Sequence, residues 1–203
     1  MNEQIKFATL EECGVVMYSG QIMSRLTLGE ASGKEVVAVR KVVVPKCIHA
    51  DGSVDPDEMP EEQLRTDADP RRLTAGGDIV MKLSTPYDAA FIGEENAGCV
   101  VPSFCAIIKS PGDLNPDYLL AFLNSSACKN QIKVLVAGAA MAMLSIGKVK
   151  SIRIPVPEPQ IQHSIGGTFM ETQRRVYILN RIIQLEQKKN DVYFRDLVKR
   201  NEN

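Results

Sequence analysis

The sequence has no tryptophan, only two histidines and an aromatic content of 5%, so several kinds of catalytic or metal site have few residues to build on. With His49 and His163 alone, neither a histidine-dependent nucleophilic triad nor a metal site made of several histidines is expected. The cysteines are odd in number and no two are three residues apart, which argues against a zinc ribbon, a thioredoxin-type site and a secreted disulfide framework. They are Cys13, Cys47, Cys99, Cys105 and Cys128.

Other absences exclude whole classes of protein. No window comes near the roughly 18 uninterrupted apolar residues of a membrane-spanning helix. The first residues also lack a basic start followed by an apolar stretch, so we expect a cytoplasmic protein that does not contact a membrane. No phosphate-binding glycine loop followed by Lys-Ser or Lys-Thr occurs, and Gly76-Gly77 lacks the dinucleotide-binding spacing. The composition, 44% hydrophobic and 24% charged, fits one large domain or a domain with an appendage.

Charge is distributed unevenly along the chain. The 24 Lys and Arg against 25 Asp and Glu give a net charge of −1, which by itself argues against a nucleic-acid-binding protein. Residues 51–69 contain eight acids and one base, a local balance of −7, so the rest of the chain carries +6. A basic surface can coexist with an acidic loop more than about 8–10 Å away, because salt screens exposed charges over that distance. The alternative is a solvated acidic loop beside a surface of mixed charge.

The pattern of β-branched runs, prolines and glycines predicts an α+β fold. We expect one mixed α/β domain over residues 1–159, with an acidic loop at 51–69, followed by a long coiled-coil-type helix over 160–203. In this domain, Gly77 and Asp78 are expected to form a turn. The predicted strands are residues 35–44, 79–83, 99–108 and 149–154, with Pro102 at an edge or bulge. The predicted helices are residues 117–124 and 131–136. Residues 137–143 are expected to form a small-residue loop, and Pro155, Pro157 and Pro159 an extended connector.

The C-terminal part has a different texture, because no proline occurs after Gln160 and only Gly166-Gly167 interrupts a helical pattern. A helix over about 164–199 would be roughly 54 Å long, which exceeds the width of a small domain. Apolar residues spaced by three and four predict a dimerisation helix of the coiled-coil type, and the alternative is a terminal helix that packs on its own domain. The predicted contact residues are Phe169, Val176, Leu179, Ile182, Ile183, Glu186, Asn190, Tyr193 and Leu197, of which the polar Glu186 and Asn190 would fix register or partner.

Two fragments are similar to parts of catalytic sites but lack the necessary context. The tetrapeptide Asn115-Pro116-Asp117-Tyr118 is similar to the loop with which amino-methyltransferases hold a flipped base, yet it opens a helix and no glycine-rich cofactor turn precedes it. The acids of residues 51–69 fit neither the spacing of a calcium loop nor that of a nuclease core. We therefore expect no catalytic residue and no metal ligand in this chain.

The order of the segments carries a resemblance to a known family. The series is GGDIVMKL at 76–83, CVVPSFCAII at 99–108, NPDYLLAFLNS at 115–125, the loop AGAAMAML, and KVKSIRIPVPEPQIQHSI at 148–165 before the long helix. It resembles the target-recognition module of the specificity subunit of type I restriction-modification enzymes. The strongest match is Ile154-Pro155-Val156-Pro157 with residues 160–165, although Val156 replaces a frequent proline and Gln162-His163 replaces the usual Glu-Gln. The resemblance covers roughly residues 70–200, and Ser19-Gly20-Gln21 is similar to an early glycine turn.

The resemblance implies a non-catalytic DNA-recognition subunit that directs a separate methyltransferase subunit, and an endonuclease subunit where one exists, to double-stranded DNA. S-adenosylmethionine, ATP and Mg²⁺ are then expected only on those partner subunits. A full specificity subunit has two such modules joined by two paired helices, whereas this sequence has one module and one helix. The resemblance therefore implies a half-subunit that dimerises and reads a bipartite site, with either an identical chain or a different half-subunit as its partner.

DNA is read by hydrogen-bond donors and acceptors at base edges, and Lys, Arg, Ser and Thr supply the phosphate contacts. The candidate DNA-binding residues are Arg25, Arg40, Lys41, Lys46, Lys82, Ser84, Thr85, Tyr87 and Lys148. Two other functions stay open at this point. One is a protein–protein adaptor that works through the long helix without binding DNA, and the other is an enzyme acting alone, which the missing catalytic groups disfavour.

Overall fold

The computed structural model describes residues 5–28, 35–110, 112, 114–138 and 143–201, and it confirms the α+β class with one mixed module followed by one very long helix. The strands are β1 (Lys6–Thr9), β2 (Val16–Ser19), β3 (Ala38–Lys41), β4 (Glu61–Leu64), β5 (Ile79–Lys82), β6 (Ala89–Phe91), β7 (Cys105–Lys109) and β8 (Arg153–Val156). The helices are α1 (Met23–Leu26), α2 (Pro116–Asn124), α3 (Ser126–Val136), α4 (Ile146–Lys150) and α5 (Pro159–Asn201).

A four-stranded antiparallel sheet in the order β2-β7-β5-β6 forms the centre of the module. Successive residues of a strand point to opposite faces, and here the two faces serve two separate apolar clusters. Ile79, Met81 and Ile108 belong to the cluster that the helices cover, whereas Val80 and Ile107 belong to the cluster on the other face. Because both faces are buried, β5 and β7 are continuous apolar runs rather than alternating ones.

Helices α2 and α3 cover one face of the sheet, and their starts follow ordinary capping chemistry. The side chain of Asn115 accepts a hydrogen bond from the backbone N–H of Tyr118 at 2.9 Å, and Pro116 occupies the first helical position. The side chain of Ser125 accepts from the N–H of Cys128 at the start of α3. Both predicted helices, 117–124 and 131–136, are therefore confirmed, the second as the end of a longer helix.

The long helix α5 is confirmed and begins at Pro159, five residues before the expected start at 164. Its first turns pack against α2. Gln162 is buried and links the two elements, because its amide donates to the carbonyl of Pro157 and accepts from the N–H of Asn115. Gly166 lies so close to the start of α2 that an added Cβ would meet the Cβ of Asp117 at 2.7 Å. Gln162 and Gly166 thus fix the position at which α5 leaves the module.

The predicted strand over residues 149–154 is wrong. Residues 146–150 form α4 instead, because the side chain of Ser145 accepts a hydrogen bond from the N–H of Lys148 and caps a short helix. The strand comes later, as β8, and among the described residues it pairs with β1 alone. Pro155 lies inside this edge strand and Pro159 is the first residue of α5, so the three prolines do not form one free connector.

Two predicted strands are shorter than expected. The strand predicted over 35–44 is regular only in β3, because Val42 leaves β4 and bridges to Val100. The strand predicted over 99–108 is regular only from Cys105, and β7 is a central strand with partners on both sides. Pro102 lies outside it, in an isolated bridge with Gln21, so the predicted edge or bulge position applies to the preceding segment and not to the strand.

The turn at Gly76-Gly77-Asp78 is as predicted. Gly77 has φ +83°, a conformation that favours glycine, and the Asp78 carboxylate accepts from the N–H of Ala75 at 2.8 Å. Asp78 is buried and also binds the ammonium of Lys109 at 2.8 Å. The turn therefore ties the start of β5 to the end of β7.

Some sequence-based expectations fall outside what the structure describes. Residues 139–142 of the small-residue loop are among these, as are the side chains of Asn190 and Leu197 on α5. Within the described part of the chain, no helix combines the length and the apolar character that a bilayer span would need.

Candidate nucleic-acid interface

Three of the candidate DNA contacts come together on a small lobe beside the central sheet. A third apolar cluster, which includes Leu26, Leu64 and Val100, holds together α1, β3, β4 and the segment 65–73. We call these elements the arginine lobe, because their six bases outnumber their four acids and five of those bases are arginines. The bases are Arg25, Arg40, Lys41, Arg65, Arg71 and Arg72.

The acidic segment is not the separate loop that the sequence suggests. Residues 61–64 form β4, which pairs with β3 so that Glu62 lies opposite Arg40 and Glu61 lies opposite Lys41. Opposite charges at facing positions stabilise an antiparallel pair, which explains why the acidic and basic stretches meet. The expectation of an acidic loop held away from a basic surface is therefore wrong for these four residues.

Arg40 and Lys41 are neighbours in sequence but leave β3 on opposite faces, because side chains alternate along a strand. Lys41 is exposed. Arg40 is half-buried, and one of its terminal nitrogens lies 3.3 Å from a carboxylate oxygen of Asp67. Hydrogen bonds from Ala68 N–H and from Arg40 hold the pKa of Asp67 below its usual value, so this pair stays charged in mildly acidic solution. The two residues cannot contact one ligand surface side by side.

Three arginines of the lobe were missed by the sequence analysis because they stand in or beside an acid-rich stretch. Arg65 has a structural role, since its guanidinium donates to the carbonyls of Ser24 and Arg25 at 2.9 and 3.0 Å. Arg71 and Arg72 belong to a short 3-10 turn that begins at Pro70, and both lie near the carboxylate of Asp69. The sequence signal that was available is the pair of adjacent arginines itself.

Four other candidates lie outside the arginine lobe, and two of them bind other groups of the chain. Lys82 binds the buried carboxylate of Asp88 at 3.1 Å, together with Lys129 at 2.7 Å. Lys148 donates to the carbonyl of Leu135 at the end of α3. Ser84 is half-buried and Thr85 is exposed. Lys82 and Lys148 therefore stabilise the module, and Thr85 remains the most accessible of the four.

Tyr87 does not suit the DNA contact predicted for it. Its side chain is buried in the helix-covered cluster, 6% exposed, and its backbone has φ 60° next to the cis Thr85-Pro86 bond. An exposed ring could stack on a base, whereas this ring forms part of the core. Lys46 is exposed on the 3-10 turn of residues 45–47, apart from the elements of the arginine lobe.

The distal helix, which we define as residues 171–201 of α5, exposes nearly all of the predicted dimerisation residues that can be described. Phe169 is the exception, because it lies before this segment and packs against the module's own core. Leu179, Ile183 and Tyr193 are each more than half exposed. The exposed members are Val176, Leu179, Ile182, Ile183, Glu186 and Tyr193. The exposure of these apolar side chains shows that no residue of the described chain covers them.

A groove of about 720 Å³ lies between the loop 49–57 and the helix face around residues 170–184. In and next to this loop, His49, Asp55 and Glu58 place one possible ligand atom each within 4.8 Å of one another, and the ring Nε2 of His49 is 4.0 Å from a Glu58 oxygen. A histidine with two carboxylates is a donor set that zinc and similar divalent ions accept. The spacing of these residues in the sequence did not predict that they are close. His49 and Asp55 come together in the fold because Ile48 and Val54 form a β-bridge.

The cysteines lie in surroundings unlike those of a reactive thiolate. Burial raises the pKa of Cys105 and of Cys128 to about 12, and it also raises the pKa of Cys13, Cys47 and Cys99. All five are free thiols in the structure.

Both the sequence and the fold are similar to those of known proteins. Residues 69–192 match the family model described as the type I restriction modification DNA specificity domain. A search of curated protein sequences returned no match. The fold is similar to that of a chain in a structure described as showing complex assembly and conformational transition of the type I R-M system, with TM-score 0.64 and 16% identity over 92% of this chain and 47% of that chain.

Two further solved structures have a similar fold. The HsdS subunit from Thermoanaerobacter tengcongensis has TM-score 0.61 and 16% identity over 92% of this chain and 46% of its own. The type I restriction-modification S subunit from M. genitalium has TM-score 0.56 and 12% identity over 93% and 44%. This chain therefore spans about half the length of the structures it matches. Since the family model covers more than half of the sequence, the chain belongs to the type I restriction modification DNA specificity domain family.

Proposed function

We propose that this chain is a non-catalytic specificity subunit that recognises double-stranded DNA for a type I restriction-modification system. The observation that carries the proposal is the match of residues 69–192 to the DNA specificity domain family. The arginine lobe supports it physically, because it gathers charged donors of the kind that bind phosphates and base edges in one part of the module.

The proposed DNA contacts are the candidates of the arginine lobe, the exposed Arg25 and Lys41 and the half-buried Arg40, with Lys46, Ser84 and Thr85 as further contacts. Lys82 and Lys148 are retained only as secondary contacts, because each already binds a group of the module. Tyr87 is left out because it is buried. Arg40 and Lys41 lie on opposite strand faces, so we assign Lys41 to phosphates and Arg40 to the more specific contact.

We further propose that the distal helix pairs with the same helix of a second copy, or of a different half-subunit. Its exposed stripe is apolar, and a helix with such a stripe is stabilised mainly by a partner that covers it. A two-fold pair of modules would read two half-sites. The methyltransferase subunit, and an endonuclease subunit where one exists, would bind this assembly, and S-adenosylmethionine, ATP and Mg²⁺ would belong to them.

The second candidate function is a coiled-coil adaptor that does not bind DNA. The net charge of −1 and the pairing of β3 with the acidic β4 favour it. The two functions differ in their response to salt, because neutralising phosphates releases counterions and makes binding fall steeply as salt rises.

The test measures DNA binding by fluorescence anisotropy, with and without the cognate methyltransferase subunit. A duplex selected from a random-sequence pool with this complex is compared with a scrambled duplex of equal length. We expect the selected duplex to bind on the order of a thousandfold more tightly, with a strong salt dependence. Equal affinity for both duplexes, or no salt-dependent binding, would favour the adaptor.

A further inference from the structure

We propose that Asp69 orients Arg71 and Arg72 toward DNA, which makes the turn of residues 69–72 a specificity-determining part of the interface. The inference deepens the proposed function and rests on it. No sequence motif singled out these residues, and the proposal comes from how the turn is held in the structure.

The guanidinium of Arg71 is held in a fixed orientation although its side chain is 80% exposed. Its Nε donates to Asp69 Oδ1 and its Nη2 donates to Asp69 Oδ2, both at 3.2 Å, so the carboxylate and the guanidinium meet edge to edge. Asp69 Oδ1 also accepts from the backbone N–H of Arg71 at 3.0 Å. The Nε of Arg72 lies 3.8 Å from Asp69 Oδ2. One carboxylate thus organises two neighbouring arginines.

The backbone that carries this carboxylate is anchored to the module. Gln21 is 7% exposed, and its side-chain oxygen accepts from the N–H of Asp69 at 3.0 Å while its amide donates to the carbonyl of Arg72 at 3.5 Å. Pro70 fixes one backbone dihedral between them. Leu73 then bridges to Val100, which belongs to the third apolar cluster. The turn is therefore held at both ends, unlike a freely moving surface loop.

The edge of the Arg71 guanidinium that faces away from Asp69 is left for a ligand. A guanidinium carries five N–H donors, and Asp69 takes only the Nε edge. Within the described chain, no other hydrogen bond engages Arg71 through its Nη1 nitrogen. Two parallel donors on a flat, oriented group match the O6 and N7 acceptors of guanine or two phosphate oxygens.

The cap on the Arg71 N–H stabilises the turn, but the ion pair to the Arg71 guanidinium adds little to folding, because exposed ion pairs are weak. Two functional roles for Asp69 remain, and they predict opposite signs. If Asp69 only neutralises the arginines, its removal strengthens binding to every duplex. If it orients them, its removal weakens binding to the correct sequence and lowers the ratio of specific to non-specific affinity, while binding to other sequences stays equal or increases.

The experiment uses the full chain with its methyltransferase subunit, and the selected and scrambled duplexes described above. The variants are Asp69→Asn, which keeps an acceptor for the Arg71 N–H but loses the charge, and Arg71→Lys, which keeps the charge but loses the flat fork. Matched controls are Glu171→Gln and Arg175→Lys, because Arg175 and Glu171 form another exposed arginine–carboxylate pair, at 2.9 Å on α5. Thermal melting checks that each variant is folded.

We expect Arg71→Lys to weaken binding to the selected duplex by about 10- to 100-fold, the range of a lost bidentate base contact, with little change for the scrambled duplex. Asp69→Asn should lower the specificity ratio by on the order of tenfold without weakening scrambled-duplex binding. The two controls should behave like the wild-type chain.

Three results would overturn the inference. A wild-type complex that discriminates between the duplexes, while Asp69→Asn and Arg71→Lys discriminate equally well, refutes the role of this turn and leaves the proposed function intact. Stronger binding of Asp69→Asn to both duplexes assigns Asp69 to neutralisation only. A wild-type complex that does not discriminate at all refutes the proposed function and the inference together.

Discussion

The module of residues 5–170 and the distal helix treat apolar side chains in opposite ways. In the module, large residues such as Ile107, Leu119 and Leu120 are fully buried in clusters that the chain itself completes. In the distal helix, every apolar side chain that the structure describes is exposed, from Val176 at 39% to Phe194 at 70%. The first region therefore obtains its stability from its own packing, whereas the second needs a covering surface.

The comparison is tested most strongly by the same substitution made in both regions. Ile107→Ala removes a fully buried side chain of β7 and should destabilise the protein by about 2–5 kcal/mol, since it loses burial and leaves a cavity. Ile183→Ala on the distal helix should change the free energy of unfolding of the monomer by less than about 0.5 kcal/mol. Urea denaturation at low protein concentration measures both. Similar losses would mean that the distal helix is packed within the monomer.

The junction between the two regions is tested by the glycine pair. Gly166→Ala should destabilise by roughly 1–3 kcal/mol, because the new Cβ would overlap Asp117 and the backbone of Tyr118 at 2.7 Å. Gly167→Ala is the matched control: a Cβ there meets nothing within 4 Å, and alanine should stabilise the helix by about 0.5–1 kcal/mol. Equal effects of the two changes, measured by thermal melting, would contradict the close packing of α5 on α2.

The partner of the distal helix is tested by removing part of its apolar stripe. Leu179→Ser with Ile183→Ser should convert a dimer to a monomer in light scattering, while the unfolding energy of the dilute chain changes by less than about 1 kcal/mol. The control is Gln173→Ser with Gln184→Ser, two residues that line the groove on the side toward the module. A wild-type chain that is already monomeric at high concentration would refute self-pairing.

The smallest expected effect concerns the reactivity of the cysteine thiols, which depends on how deeply each one is buried in the module. Cys105 and Cys128 are fully buried and each has a pKa of about 12, so they stay protonated and inaccessible at pH 8. Cys13 is half-buried, and we expect it to be the first to react with a maleimide in the native protein. Mass spectrometry of the labelled peptides gives the order. Early labelling of Cys128 would show that α3 opens locally.

Local signals predicted those elements that local chemistry decides. The helix start at Asn115 and the glycine turn at Gly77 were predicted because each involves neighbouring residues, whereas the cap at Ser125 was not predicted and its helix was expected only from residue 131. The long helix was readable from its uninterrupted periodicity. Burial could not be assigned in the same way: nothing local distinguishes Phe169, which packs on the module, from Val176 two turns later, which is exposed.

The candidate interface was only partly predictable, because side-chain partners come from distant parts of the chain. Lys82 looked free in sequence, but Asp88 and Lys129 meet it in the fold. The acidic stretch looked like one solvated loop, but the register of β4 against β3 pairs its acids with Arg40 and Lys41. Arg71 and Arg72 were not among the predicted DNA contacts, because they follow directly on a stretch rich in acidic residues. Only the anchored turn of residues 69–72, which the structure shows, distinguishes them from that stretch.

The two-faced central sheet has a consequence for how this protein can change. Alternate residues of β5 and β7 belong to different clusters, so the face that carries the helices and the opposite face are packed by different sets of side chains. A volume change at Val80 or Ile107 directly meets the side chains of the second cluster, and not those that cover Ile79 or Ile108. The surface that we assign to reading DNA is built on a third cluster, so we expect its exposed residues to tolerate substitution while the docking of the long helix on the first cluster is kept.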